Sequence, residues 1–213
     1  MKGSGDMMKI KTMEYVIFDV ETTGLSAQGG DRIIEIAALK VKNRVVLDRF
    51  HSLINPKRVL AADATAIHGI TNDMLADAPI SEAVLPGIID FIGGACVAGH
   101  NARFDLGFVC YELAGMGRKL RSDTPVIDTL KMARELLPYL SSYRLGKVAH
   151  ALGIVVSDTH RAMADVELTA GILERLMDIA CDQNIEQFSH FVEQFGVEKP
   201  NFAIQQVAQE FLF

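Results

Sequence analysis

The sequence predicts an α/β domain built on a mixed five-stranded sheet with helices on both faces. Three observations carry that expectation. Three strand-like runs come first, the second and third joined by a two-residue connection. Strands and helices alternate after them, and no linker-like stretch interrupts the chain before residue 180.

The first strand, residues 15–21, is rich in β-branched and aromatic residues and stops at Thr22-Thr23-Gly24. The second covers 32–42 and the third 45–54; the short connection Asn43-Arg44 makes these two an antiparallel pair. Pro56 closes the meander. Short helices are expected over 61–67, ending at Gly69, over 72–76, ending before Pro79, and over 81–92, ending at Gly93-Gly94. Glycine suits these ends because it accepts the left-handed conformation of a helix C-cap. Residues 95–99 read as a short apolar strand, 102–116 as a helix, 126–128 as a last short strand, and 129–137, 145–152 and 162–179 as helices. Residues 185–195 then place Ile185, Phe188, Phe191, Val192 and Phe195 on one side of an amphipathic helix. The expected organisation is a flexible leader over 1–12, one domain over 13–180, and a C-terminal helix and tail over 181–213.

Composition restricts the function without choosing it. Hydrophobic residues make up 49% and charged residues 23%, as in ordinary globular proteins, and no apolar run approaches the length of a bilayer span. The three cysteines show no paired spacing, which makes a reduced cytoplasm the expected home. A net charge of −6 argues against binding nucleic acid by blanket phosphate neutralisation. It leaves room for a site built from carboxylates, where bound divalent cations reverse the local sign.

Three motifs gather such carboxylates. Asp19 and Glu21 stand two apart on a strand, so both side chains leave one face, and two anions at the end of an apolar strand are costly unless compensated. The tight exit at Thr22-Thr23-Gly24 lets a substrate backbone approach. In His100-Asn101-x-x-Phe104-Asp105, the aspartate falls in the first turn of a helix that follows a strand's C-terminal end, the edge at which ligand sites of α/β sheets gather. In His160-Arg161-Ala162-x-x-Asp165, positions five apart do not share a helix face. His160 is therefore expected on the loop before the helix and Asp165 in the helix's second turn. A loop histidine is well placed to act as a general base. Taken singly, each motif has an ordinary structural reading: a frayed strand end, a charge at a helix N-terminus, a surface histidine. Glu35, inside Ile33-Ile34-Glu35-Ile36, belongs to none of the motifs and is expected to be paired structurally.

In this order, the three motifs resemble the DEDD-type exonucleases of the histidine subclass, the DnaQ-like family that includes the proofreading epsilon subunit of bacterial DNA polymerase III. The resemblance runs from residue 15 to about residue 176, no motif acid is missing, and residues 67–71 are similar to the family's segment between its first two motifs. It implies a ribonuclease H-like fold and a metal-dependent 3′→5′ exonuclease that releases nucleoside 5′-monophosphates from DNA 3′ ends in proofreading or repair. An exoribonuclease trimming RNA 3′ ends is one alternative. A non-catalytic nucleic-acid or polymerase-binding module is another, against which the complete set of mutually repelling acids speaks.

The resemblance also implies roles. Asp19, Glu21, Asp105 and Asp165 would hold two divalent cations, Mg²⁺ or Mn²⁺, with Asp19 bridging, Glu21 and Asp165 mainly on the water-activating ion, Asp105 on the leaving-group ion, and His160 as general base. Carboxylate oxygens suit such hard cations, and no zinc-type cluster of cysteine and histidine competes. Thr22, Thr23, Gly24, Leu25, His68, Asn101 and Phe104 are candidate substrate contacts, Leu25 as a wedge against the terminal base and Phe104 as a stacking surface. Arg144, Lys147 and Arg161 are candidates for meeting phosphates. The expected partners are single-stranded or 3′-frayed nucleic acid and a replicative polymerase subunit, with no membrane. The last five residues, Gln209 to Phe213, are similar to the short peptide by which bacterial replication and repair proteins bind the sliding clamp, making Gln209, Leu212 and Phe213 candidate clamp contacts.

Overall fold

The computed structural model describes residues 8–156 and 161–200. Its sheet contains β1 (Glu14–Thr22), β2 (Ile33–Lys42), β3 (Val45–Leu53), β4 (Cys96–Gly99) and β5 (Val126–Asp128), in the spatial order β3-β2-β1-β4-β5. The first three form the expected antiparallel meander, and β4 and β5 join β1 on its other side in parallel. Asn43 and Arg44 take φ of 50° and 64°, the two positive values of a tight two-residue hairpin turn, and bring Lys42 opposite Val45. The helices are α1 (Ala62–His68), α2 (Asn72–Ala76), α3 (Ser81–Ile92), α4 (Ala102–Gly115), α5 (Thr129–Leu136), α6 (Leu145–Ala151), α7 (Ala162–Asp182) and α8 (Phe188–Phe195).

Alternation along β1 feeds two layers. Val16, Phe18 and Val20 pack with α3 and α4, whereas Tyr15 and Ile17 pack with α5, α6, α7 and α8. By the same alternation Asp19 and Glu21 continue the α7 face at the end of the strand. Both faces of β2 are buried as well, so a slip of one residue would exchange its two core faces. The pairing of β1 with β2 does contain one irregularity. Glu21 lies opposite Glu35 but Thr22 lies opposite Ile33, which leaves Ile34 as the extra residue of a bulge. Ile34 packs in a third, small cluster with Leu60, Ile70 and Leu75, and that cluster seats α1 and α2.

Two boundaries differ from expectation. Residues 8–12, read as leader, are folded: Ile10–Thr12 form a 3₁₀ turn, Ile10 is fully buried, and its N–H donates to the Glu186 carbonyl while Phe188 N–H donates to that of Met8. The sequence hid this because three residues of 3₁₀ turn carry no periodicity. At the other end α7 continues to Asp182, and α8 starts at Phe188 rather than 185. Asn184 takes a left-handed φ of 65° and Ile185 N–H closes onto the Ala180 carbonyl, so these residues terminate α7 instead of opening α8. Phe191 and Phe195 then bury into the core shared with α7. Among the described residues no helix is long and apolar enough to cross a membrane.

Candidate active site

Four acids arrive from three elements. Asp19 and Glu21 come from the end of β1, Asp105 from the first turn of α4, and Asp165 from α7. Asp165 sits in the first turn of α7, not the second, because Arg161 is still extended and the helix begins at Ala162. Carboxylate oxygens of Asp19, Glu21 and Asp165 lie within 4.8 Å of one another. Asp105 approaches from the opposite layer and is not in that group of three. Its Oδ1 accepts the backbone N–H of Val20, between the two β1 acids, at 3.0 Å. The route is short because β4 runs parallel beside β1 and leads directly into α4. At the end of β4, a Cβ on Gly99 would come within 3.2 Å of Ala102 and 3.4 Å of the Phe18 carbonyl, so a glycine here leaves room for the close approach of helix and strand.

Among the described residues, no lysine or arginine forms an ion pair with Asp19, Glu21 or Asp105. The electrostatics follow. Burial raises the Asp19 carboxyl well above its ordinary value, and the charges of Asp105, Asp165, Glu21 and Glu35 add to the effect. Glu21 is pushed up to about 7, first by burial and then by Asp165 and Glu35, against a pull from Arg161. Burial pushes Asp105 up to about 8, although the hydrogen bond from Val20 pulls the other way. An all-oxygen donor set whose members repel one another at a partly buried sheet edge fits hard divalent cations, which would remove that repulsion.

Glu35 is the contrast. It is 1% exposed on β2, opposite Glu21, yet its carboxylate accepts four hydrogen bonds. Arg161 supplies Nε and Nη2 at 3.1 and 2.8 Å, the Ala162 N–H lies at 3.0 Å, and His51 Nε2 is 2.8 Å away. Burial alone would raise it, but the bonds from Arg161, His51 and Ala162 together hold Glu35 below its ordinary value. The expectation of a structural pairing is met, and Arg161, expected at a phosphate, is engaged with Glu35 instead. The sequence does not name Arg161 and His51 as the partners of Glu35. The lone acid inside an apolar strand was the available signal.

The candidate substrate contacts fall into two groups. Thr22 Oγ1 donates to the Gly24 carbonyl, and Thr23 Oγ1 donates to Asp31 while accepting from Arg32 N–H, so both hydroxyls are engaged in building the loop after β1. At Gly24 an added Cβ would run into the Asp31 carboxylate, which Thr23 Oγ1 and the Ser26 N–H hold in place, so the loop itself favours a glycine there. Leu25, by contrast, is 86% exposed on this loop, which removes a core role for it. Phe104 is half-buried against Phe108, with ring centroids 5.1 Å apart. Asn101 is exposed at the start of α4 in a left-handed conformation, held by its N–H donating to Asp128 Oδ1. His68 is buried, and its Nδ1 accepts from Ile70 N–H, which leaves the proton on Nε2. Among the described residues Nε2 has no hydrogen-bond partner, and burial lowers the ring's basicity so that it stays neutral. His100 is a tether: its ring nitrogens meet Thr129 Oγ1 and the Tyr143 carbonyl.

Asp165 also borders an open cavity of about 530 Å³ lined by Arg144, Lys147, His150 and Val156. Neither Arg144 nor Lys147 has an ion-pair partner among the described residues. His160, Gln209, Leu212 and Phe213 lie outside the described residues.

A family model described as an exonuclease, RNase T, matches residues 16–173. The chain is 39% identical over 184 residues to the DNA polymerase III PolC-type of Bacillus cereus, a match covering 85% of this chain and 12% of the polymerase. It is 39% identical over 182 residues to that of Bacillus subtilis, covering 85% and 13%. The chain thus spans only about an eighth of the length of these relatives. Among solved structures, exonuclease X in complex with 5′ overhanging duplex DNA superposes with a TM-score of 0.64 at 28% identity, over 85% of this chain and 97% of that one. The nuclease domain of 3′hExo, a DEDDh family member bound to rAMP, gives a TM-score of 0.68 over 90% and 98%, and at 17% identity supports the fold alone. The mixed five-stranded sheet is therefore ribonuclease H-like, as expected.

Proposed function

We infer that this chain, which belongs to the RNase T exonuclease family and is a 3′→5′ exonuclease, removes nucleotides from DNA 3′ ends using two divalent cations held by Asp19, Glu21, Asp105 and Asp165. One observation carries the reading: acids from three elements converge at one sheet edge, three of them with oxygens within 4.8 Å. When bound, the cations would clamp the attacking and leaving oxygens of the scissile phosphodiester. His160 takes the proton of the attacking water. The buried Nε2–H of His68 offers a directional donor to the terminal nucleotide. The exposed Leu25 wedges against the last base, and the face of Phe104 stacks on it. The cavity beside Asp165, with Arg144 and Lys147 on its wall, receives the phosphates that follow the scissile one.

DNA is the inferred substrate because the relatives at 39% identity are DNA polymerases, and proofreading beside a polymerase is the corresponding role. Labelled single-stranded DNA, 3′-mismatched duplex and RNA of equal length, each with Mg²⁺, Mn²⁺ or chelator, test this. Metal-dependent shortening of DNA from the 3′ end is expected. A preference for RNA would transfer the site to RNA processing, and digestion in chelator would remove the cation assignment.

A further inference from the structure

We propose that Glu35 is a positioning residue for the hydrolysis inferred above, fixing, through Arg161 and the Ala162 N–H, the point at which the chain carrying His160 enters α7. The proposal rests on that reading, since it gives His160 its task.

The bonding pattern is the first ground. Of the four hydrogen bonds to Glu35, three come from the last residue before α7 and the first residue within it. Arg161 is extended, with φ −135° and ψ 127°, and its guanidinium fork meets the carboxylate through two nitrogens, which sets direction as well as distance. His160 is the covalent neighbour of this anchored residue.

Stability does not explain the arrangement. Replacing a buried ion pair by packed apolar residues is commonly neutral or favourable, and the face of β2 that carries Glu35 continues as Ala37, Leu39 and Val41 in the core shared with α7. Nor does α7 depend on Glu35 for its seat. Ala162, Val166, Ile172 and Leu176 are each fully buried in the core that the helix shares with β1 and β2. What the carboxylate adds to α7 is confined to the helix entrance, while its remaining bond, with His51, goes to β3. The same bonds keep Glu35 out of the metal-ligand set. It lies opposite Glu21 in the sheet, one strand from the acid cluster, and Arg161 occupies the oxygens that it would otherwise present there.

Glu35→Gln, Arg161→Gln, Arg161→Lys and the Gln/Gln double variant test the proposal on the full chain. In Glu35→Gln, kcat on labelled single-stranded DNA with Mn²⁺ should fall about 10- to 100-fold while KM and calorimetric Mn²⁺ affinity stay within about threefold of the parent. Arg161→Gln should match it and Arg161→Lys, which keeps the charge but not the fork, should fall between. The double variant should be no slower than either single, because the pair acts as one unit. An unchanged kcat in a folded Glu35→Gln protein, Mn²⁺ affinity lost in step with kcat, or multiplying losses in the double variant would each overturn the proposal. Should Glu35→Gln not melt cooperatively, the two Arg161 variants are judged by the same kcat and affinity criteria. A parent chain inactive on every nucleic acid would instead locate the failure in the exonuclease reading.

Discussion

The two ends of α7 treat the same residue type in opposite ways. Asp165, in the first turn, stands with Asp19 and Glu21 and adds its charge to theirs. Asp178, near the last turn, meets Lys11 at 2.6 Å and the guanidinium of Arg44. Burial by itself would raise Asp178, but the hydrogen bond from Lys11 and the Arg44 charge hold it below its ordinary value. One helix therefore carries an acid that the fold compensates and another that it surrounds with further acids. The first is architecture. The second stands beside Asp19 and Glu21, which form no ion pair with lysine or arginine among the described residues and so fit the divalent cations inferred above.

That contrast can be broken most decisively at its acidic end. Asp19→Ala or Asp165→Ala should reduce metal-dependent digestion at least about 10³-fold with circular dichroism unchanged. A near-normal rate in either variant would refute the assignment, whereas Asp178→Ala should stay within about twofold of the parent. His160→Ala comes next, with kcat about 10²- to 10⁴-fold lower and Mn²⁺ affinity retained; equal losses of both would make it a ligand.

A smaller effect appears in stability. Glu21 at about 7 and Asp105 at about 8 lie above their unfolded values, so the native state binds more protons and stability falls as pH rises. In chelator the melting temperature should drop by on the order of 5 °C between pH 6 and 9, and Mn²⁺ should restore more at the upper end. A flat profile would mean that the acids are compensated after all. Asp178 should show the reverse sign, its contribution present above the ordinary carboxylate range and lost as acid titrates it. Asp178→Asn should therefore cost no more than about 1 kcal/mol at pH 7 and nothing at pH 2, measured by urea unfolding.

Much of this was legible beforehand for identifiable reasons. The strands of the meander announce themselves by β-branched runs and a two-residue turn, and α3 ends at Gly93 where the glycine pair predicts it. The four acids could be placed because each follows directly from a strand end or a helix start, where local sequence determines position. What could not be read depends on contacts between distant segments. Arg161 and Glu35 are 126 residues apart, and a spare cation near an acidic motif looks like a phosphate ligand until its partner is seen. Gly24 suggested a path for substrate, when the carboxylate of Asp31, seven residues on, already favours a glycine there.

The bulge at Ile34 has a consequence for how the domain tolerates changes in length. Removing that one residue would leave the strands of the meander intact in number but put the arm bearing His68 out of phase with the acids, since Ile34 is what joins β2 to the cluster beneath α1 and α2. The opposite end of the same hairpin, where Asn43 and Arg44 turn at the surface, carries no such constraint from the active edge. Insertions and deletions should accumulate at that tip and be absent from the bulge, so that hairpin length varies at one end only.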